Sequence, residues 1–529
     1  MSLSMNMLIE QAFSRARIVG TVTLILLLAS CAQIGKRHDA AYTDTYSRDM
    51  FDSGYTFIAD RYIAPVSLRD LSVSGLSGLR QIDTDVEIRD DPRAIQVLYN
   101  GKLIGSIPFP ATDKPDDWSA ATVAVIALAR KASPSLGEAR AEAVFKAVFD
   151  GVLEPLDRFS RYDDAETATE KRAYRDGFGG IGITIRMNED DAEIVTVTDG
   201  GPADKAGAHA QDRMSHVEGK PITGWTQREL VNRLRGPVNS TVSFTVRRSG
   251  VSEPIEIRVR RSYVVPETAE VEHEEGGFTL IRLSGFNVNS AQRLERLVRE
   301  EMSAPGGPPR GFILDLRSNP GGRLDTSIKV ADIFLDGGAI TATRGRHPGS
   351  RQVFQATKGD LTRGQPLVVL INGNSASASE IVAAALQDNA RAIVIGTNSF
   401  GKGTVQSVLQ MPNKGELTLT WSRFLAPSGY RLHELGVLPS VCTHGGGETK
   451  SVQSLVPAVQ HGDDILASRL NAWRATGNDD DVARHRLREL CPSDGGSPDI
   501  DLALARAILA DPVLYRSLLN EAQTSVAHR

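Results

Sequence analysis

Asn374-Ser375-Ala376-Ser377-Ala378-Ser379-Glu380-Ile381 lies between the apolar run Pro366-Leu367-Val368-Val369-Leu370-Ile371 and a helical pattern over 378–387. A short apolar run bounded by turn residues reads as a buried strand, which makes the octapeptide a strand-to-helix turn. Small residues dominate it. Such a turn lifts a side chain above the sheet edge, beside helix N–H groups whose partial positive charge favours a developing oxyanion. A serine hydroxyl here needs a base to take its proton at neutral pH, and the stretch contains no histidine. The base best placed along the chain is Lys402, in the loop Phe400-Gly401-Lys402-Gly403-Thr404, after one helix and the strand-like Ala392-Ile393-Val394-Ile395-Gly396. A strand–helix–strand path returns the chain to the same end of a parallel sheet. Lysine works as a base only when desolvation lowers its pKa from about 10.4 towards neutrality, and Phe400 and Val405 are consistent with a dry site.

Outward from this centre, strand-like and helical patterns alternate: a strand at 278–283, an amphipathic helix at 291–302, a strand at 311–316 and a helix at 324–334. That alternation predicts an α/β core. Arg317-Ser318-Asn319-Pro320-Gly321-Gly322 comes after the second strand and has the composition of a tight turn. Upstream, Gly177-Phe178-Gly179-Gly180-Ile181-Gly182-Ile183 leads into a strand, and strand-like segments recur to Val259. No Walker lysine follows these glycines, so a nucleotide loop is disfavoured. Residues 54–176 read as an N-terminal α+β domain with helical patterns at 118–131 and 136–153, ending in a helical linker near 165–175. Residues 442–529 read as mainly helical, with Pro512 separating 501–509 from 513–522 and a role in packing or homo-oligomer contact.

At the N-terminus, Arg15 and Arg17 precede the apolar run Ile18–Leu28, which ends in Leu28-Ala29-Ser30-Cys31. This is a signal-peptide pattern; the run falls well short of the roughly 20 residues a membrane-spanning helix requires. Small residues before a cysteine resemble the bacterial lipobox, which implies cleavage after residue 30, lipid on Cys31, and a tether over 31–53. The expected location is the periplasm, anchored to the cell envelope by lipid. Ala32 rather than Asp after the cysteine favours the outer membrane. Cys442 and Cys491 then remain on the exported side, where oxidation is permitted, as a candidate disulfide. The net charge of -5 arises from 65 acidic and 60 basic residues without a basic stripe, which argues against nucleic acid as a partner. With three cysteines and no HExxH, Walker or EF-hand motif, no metal or cofactor is expected.

The glycine-dense segment together with its downstream strands, over 177–263, resembles a bacterial PDZ domain. In that fold Gly179, Gly180, Ile181 and Gly182 would turn N–H groups towards a peptide carboxylate while the peptide adds a strand to a sheet edge. Gln211 and Asn239 stand where the family usually has glycine. Asn tolerates a left-handed backbone; Gln is less comfortable there. The segments 377–381, 386–392 and 396–406 resemble the carboxyl-terminal processing, or tail-specific, family of Ser-Lys peptidases, over about half of the chain. The 25-position separation of Ser377 and Lys402 agrees with the family spacing. The resemblance implies a crotonase/ClpP-like protease core over 264–441, with Ser377 as nucleophile, Lys402 as general base, Gln406 positioning the lysine, and Asp388 and Glu380 as supporting acidic residues. Ordinary helix-surface polarity is the plainer reading of those two. It also implies an oxyanion hole from the backbone at Gly321 or Gly322 and at Ala378, and Arg235 as a contact between PDZ domain and active site. The substrates implied are exported proteins with apolar C-terminal tails. A lipid-anchored PDZ adaptor that holds peptides without cutting them is the alternative, and a crotonase-like enzyme a more distant one.

Overall fold

The structure, a computed structural model, describes residues 43–445, 448–449, 451–461, 467–476 and 480–524. Cys31 and the apolar run before it lie outside the described residues. Part of the expected tether is instead a helix, Asp44–Arg61, capped by the Thr43 side chain and burying Met50, Phe51, Tyr55 and Ile58. Polar residues between these apolar positions hid the repeat, and tertiary packing of one face supplies what propensity does not.

The described residues divide into two compact units, those up to 166 with 408–419, and 167–407 with those from 420 on. In the first, the helices Asp44–Arg61, Leu68–Ser77, Pro115–Ala132 and Ala141–Leu153 accompany an antiparallel sheet of 86–91, 94–99 and 102–108. Phe51, Tyr55, Ile126, Phe145 and Phe149 form the centre of their core. The single helical pattern expected over 136–153 is two helices, Pro134–Glu138 and Ala141–Leu153, with extended backbone at Ala139 and Arg140 between them.

The second unit opens with the glycine-dense strand β1 (Phe178–Gly180), which pairs with β7 (Ser262–Val264). Between them, β2 (Ile183–Met187), β3 (Ala192–Val197), β4 (Arg213–Val217), β5 (Thr241–Arg247) and β6 (Ile255–Arg260) form a sheet in the order β6-β5-β4-β3-β2. β2 is therefore an edge. Helix α1 (Gln227–Leu234) starts with a Thr226/Glu229 capping box and buries Leu230 and Leu234. The buried Arg261 closes its C-terminus by donating to the Arg233 and Leu234 carbonyls, which have no intrahelical partner. Gln211 and Asn239 both adopt positive φ, +69° and +72°, so each occupies the left-handed turn that glycine usually fills.

The core sheet runs β8 (Ala269–Glu274), β9 (Phe278–Leu283), β10 (Gly311–Asp315), β11 (Leu367–Ile371), β12 (Ile393–Gly396) and β13 (Val441–Cys442), with only β8 antiparallel. The inner strands β10, β11 and β12 are buried and almost wholly apolar because both faces are covered, whereas the edge strand β8 carries Glu270, Glu272, His273 and Glu274. Phe312, Leu314, Val369 and Ile371 pack with α2 (Ser290–Met302), α3 (Leu324–Phe334) and α4 (Ala378–Asp388). Ile313, Val368, Leu370 and Ile395 point the other way, to Leu504, Ile508, Leu514 and Leu518 of the C-terminal helices 498–510 and 512–524. The C-terminal region thus supplies the second helical layer of the core. Cys442 and Cys491 are bonded, with Cα atoms 5.9 Å apart.

Candidate active site

Loops leave the C-terminal ends of three adjacent parallel strands: 316–322 after β10, 372–377 after β11 and 397–403 after β12. Neighbouring strands of one direction bring such loops to one edge, where open α/β sheets form their sites.

Ser377 ends the second loop as N-cap of α4, with φ +57°, ψ −110° and 8% exposure. A backbone of this kind costs an L-residue about 1–3 kcal/mol and persists only where its surroundings hold it. Here Ala376 N–H donates to the Asn319 carbonyl at 3.0 Å, and Ser377 N–H donates to Glu380 Oε2 at 2.7 Å. The flanking serines are committed elsewhere: Ser375 Oγ donates to the Leu316 carbonyl at 2.8 Å and Ser379 Oγ to that of Asn319 at 2.9 Å. The first hydroxyl fastens the first loop to the second, and the other fastens it to the start of α4. Ser377 is the serine of the three whose hydroxyl is not given to a loop carbonyl.

The third loop is fixed from the same carboxylate. Glu380 Oε1 accepts from Ser399 Oγ at 2.5 Å and Gly401 N–H at 2.7 Å, and Oε2 accepts from Lys402 N–H at 2.9 Å. One buried side chain therefore holds the backbone of both Ser377 and Lys402. Burial pushes the Glu380 carboxyl up, and the hydrogen bonds from Ser399, Gly401, Ser377 and Lys402 oppose that without cancelling it. Phe400 N–H donates to the Ser375 carbonyl at 3.0 Å. At Gly403 only glycine fits, since a Cβ would lie 1.9 Å from His433 N.

Gly321 packs against the Ser377 turn; a Cβ there would meet the Ala376 carbonyl at 2.6 Å and Ala378 N at 2.9 Å. Its own N–H donates to Asn319 Oδ1 at 2.9 Å. Gly322 bridges to Phe286 through Phe286 N–H to the Gly321 carbonyl and Arg323 N–H to the Phe286 carbonyl, so the bridge leaves the Gly322 N–H unused. Ala378, as first residue of α4, has an N–H without an intrahelical acceptor.

Gln406 donates to Thr404 Oγ1 at 2.9 Å and to Thr420 Oγ1 at 3.4 Å. Asp388 stands at the opposite end of α4 from Ser377, about 16 Å along the axis at 1.5 Å per residue. There it accepts from Ser428 N–H and Oγ and from Arg474 Nε at 2.9 Å. The structure does not bring it to Ser377. Two residues do more than their sequence reading gave them. Glu380 carries the Ser-x-x-Glu spacing of a helix start, a readable signal, but its complete burial depends on the distant 399–402 loop. Asn319, fully buried, joins the first loop to the second and has no signal beyond its place in a turn.

Between edge strand β2 and α1 runs a groove of about 860 Å³, lined by Gly180, Ile181, Gly182, Ile185, Val231 and Leu234 among others. The carbonyls of Gly179, Ile181 and Gly182 accept from Gly236, Ala203 and Thr198 N–H groups, which anchors the loop to the domain. Arg235 lines the same groove, its guanidinium 4.1 Å above the Phe178 ring.

Residues 277–442 match Peptidase family S41 and residues 179–259 match the PDZ domain family. The carboxy-terminal-processing protease of Bartonella bacilliformis is 41% identical over 294 residues, 55% of this chain and 68% of that protein. The carboxyl-terminal-processing protease of Synechocystis is 34% identical, over 49% of this chain and 61% of its own length. The carboxy-terminal processing protease CtpA of Bacillus subtilis is 32% identical, over 55% and 62%. A strand-end serine and a lysine loop held by one buried carboxylate, in an α/β core joined to a PDZ domain, and a relative this similar over two thirds of its length, place the chain in peptidase family S41 as a serine-type, carboxy-terminal-processing peptidase.

Proposed function

We propose that the chain hydrolyses peptide bonds in proteins near their C-termini through an acyl-enzyme on Ser377. What carries the reading is the Glu380 carboxylate, which accepts from Ser377 N–H and Lys402 N–H at 2.7 and 2.9 Å and so holds the two loops at one point. Neutral Lys402 takes the Ser377 proton as Oγ attacks the scissile carbonyl, then returns it to the leaving amine. The oxyanion is met by the Ala378 and Gly322 N–H groups. Water, deprotonated by the same lysine, releases the product. The PDZ groove receives an apolar C-terminal tail as an added strand along β2, its carboxylate at residues 180–182. Lipid on Cys31 and a periplasmic location complete the proposal, supported by the N-terminal pattern and by a disulfide that suits an oxidising compartment.

The test compares Ser377→Ala and Lys402→Ala with the parent on an unstructured protein ending in apolar residues. Both variants lose cleavage; cleavage by Ser377→Ala at the parent rate removes the assignment. Mass measurement of the membrane-extracted protein, with diacylglycerol on Cys31, checks the anchor.

A further inference from the structure

Residues after 442 lie beyond the matched peptidase segment, yet helix α5 (Asp481–Arg488) reaches the lysine loop. Arg488 donates through Nη2 to the Ser399 carbonyl at 3.1 Å and through Nη1 to the Leu435 carbonyl at 2.6 Å. One turn earlier, Arg484 donates to the carbonyls of Arg431 and His433. The stretch these arginines hold is the one that walls the lysine loop. Glu434 N–H donates to the Gly401 carbonyl at 2.8 Å, and the His433 backbone is what a Cβ on Gly403 would strike. Ser399, whose carbonyl Arg488 grips, gives its hydroxyl to Glu380 and accepts from Val437 N–H. Three residues beyond Arg488, Cys491 is bonded to Cys442 at the end of β13.

We propose that Arg488 is a positioning residue for the catalytic lysine loop, and that the Cys442–Cys491 disulfide is the clasp that keeps it in place. The inference rests on Lys402 acting as the base. Its physical content is the path from clasp to chemistry: the disulfide fixes the end of α5, Arg488 fixes Ser399, Ser399 fixes Glu380, and Glu380 fixes the Lys402 and Ser377 backbones. The two-pronged guanidinium suits two diverging carbonyls in a way that a lysine ammonium does not. A loop that relaxes by about 1 Å costs on the order of 100-fold in rate, and a lysine moved further into water holds its proton more tightly.

The test measures kcat, KM and the pH profile for the parent, Arg488→Gln, Arg488→Lys and the double variant Cys442→Ser/Cys491→Ser, with melting curves and with Ser377→Ala as control. All three variants are expected to lose kcat by about 10- to 100-fold with KM within about twofold, and to shift the acid limb of kcat to higher pH. Arg488→Lys does so with a melt close to the parent's, which separates positioning from folding. Parent-like kcat and acid limb in folded Arg488→Lys overturn the proposal. If Ser377→Ala retains parent activity, the dyad reading fails instead, and the brace falls with it.

Discussion

Glu380 accepts four hydrogen bonds while fully buried, so a change there reaches the backbone of both Ser377 and Lys402. Replacing it by Gln turns an acceptor oxygen into an NH₂ facing donors, so Glu380→Gln should lower kcat/KM by at least about 100-fold, the scale of losing one preorganised contact, measured on the same tail-bearing substrate. Its pH signature has two opposite parts. Because burial raises its pKa, the folded protein binds the proton more tightly than the unfolded chain. Its contribution to stability is therefore present below the ordinary carboxylate pKa near 4.3 and is lost as pH rises through the folded-state value. Activity runs the other way, since only the ionised carboxylate can accept from all four donors; it falls as pH drops through that raised value. An unfolding free energy that, set against Glu380→Gln, shows no fall as pH rises above about 4.3 contradicts this. Gln211 gives a simpler test: with φ +69°, Gln211→Gly should stabilise the PDZ domain by roughly 1 kcal/mol, read by denaturant unfolding.

At the level of elements, the three loops at the sheet edge are fastened to one another. Gly321 has φ +95° and no room for a Cβ against the Ala376 carbonyl, so Gly321→Ala should displace the nucleophile turn and reduce kcat while leaving peptide binding to the groove intact. Val231→Glu, on the groove wall, should do the reverse: KM for apolar-ended tails rises about tenfold or more, the cost of placing a charge against an apolar residue, and kcat at saturation is kept. Much of this was legible beforehand. The run 366–371, the helix after Ser377 and the 25-position spacing placed two loops at one sheet edge, because parallel connections leave little choice. The left-handed turns at Gln211 and Asn239 were legible too. What could not be read was how deeply Glu380 is buried and where Asp388 faces. Both lie on one helix, and only the packing of sequence-distant segments, 399–402 for the first and Arg474 for the second, separates a site residue from a structural tie. The helix Asp44–Arg61 escaped for the same reason: its buried face is defined by its partners more than by its own periodicity.

Across the whole molecule, the C-terminal region contributes a helical layer to the core sheet and a covalent link to β13. The disulfide closes a loop of 49 residues, for which chain entropy predicts about 4 kcal/mol as an upper figure. The Cys442→Ser/Cys491→Ser variant should unfold at lower denaturant by about 2–4 kcal/mol of stability; an unchanged midpoint argues that the sheet and α5 hold each other without it. This also bears on when the enzyme becomes competent. Arg488 follows Lys402 by 86 residues and Cys491 follows it by 89, so a growing chain carries its serine and lysine long before it carries what steadies them. On the proposed brace, a peptidase built in that order is expected to stay blunt during synthesis and while its thiols are reduced. It is expected to sharpen only when the last helices have docked and the sulfurs have joined.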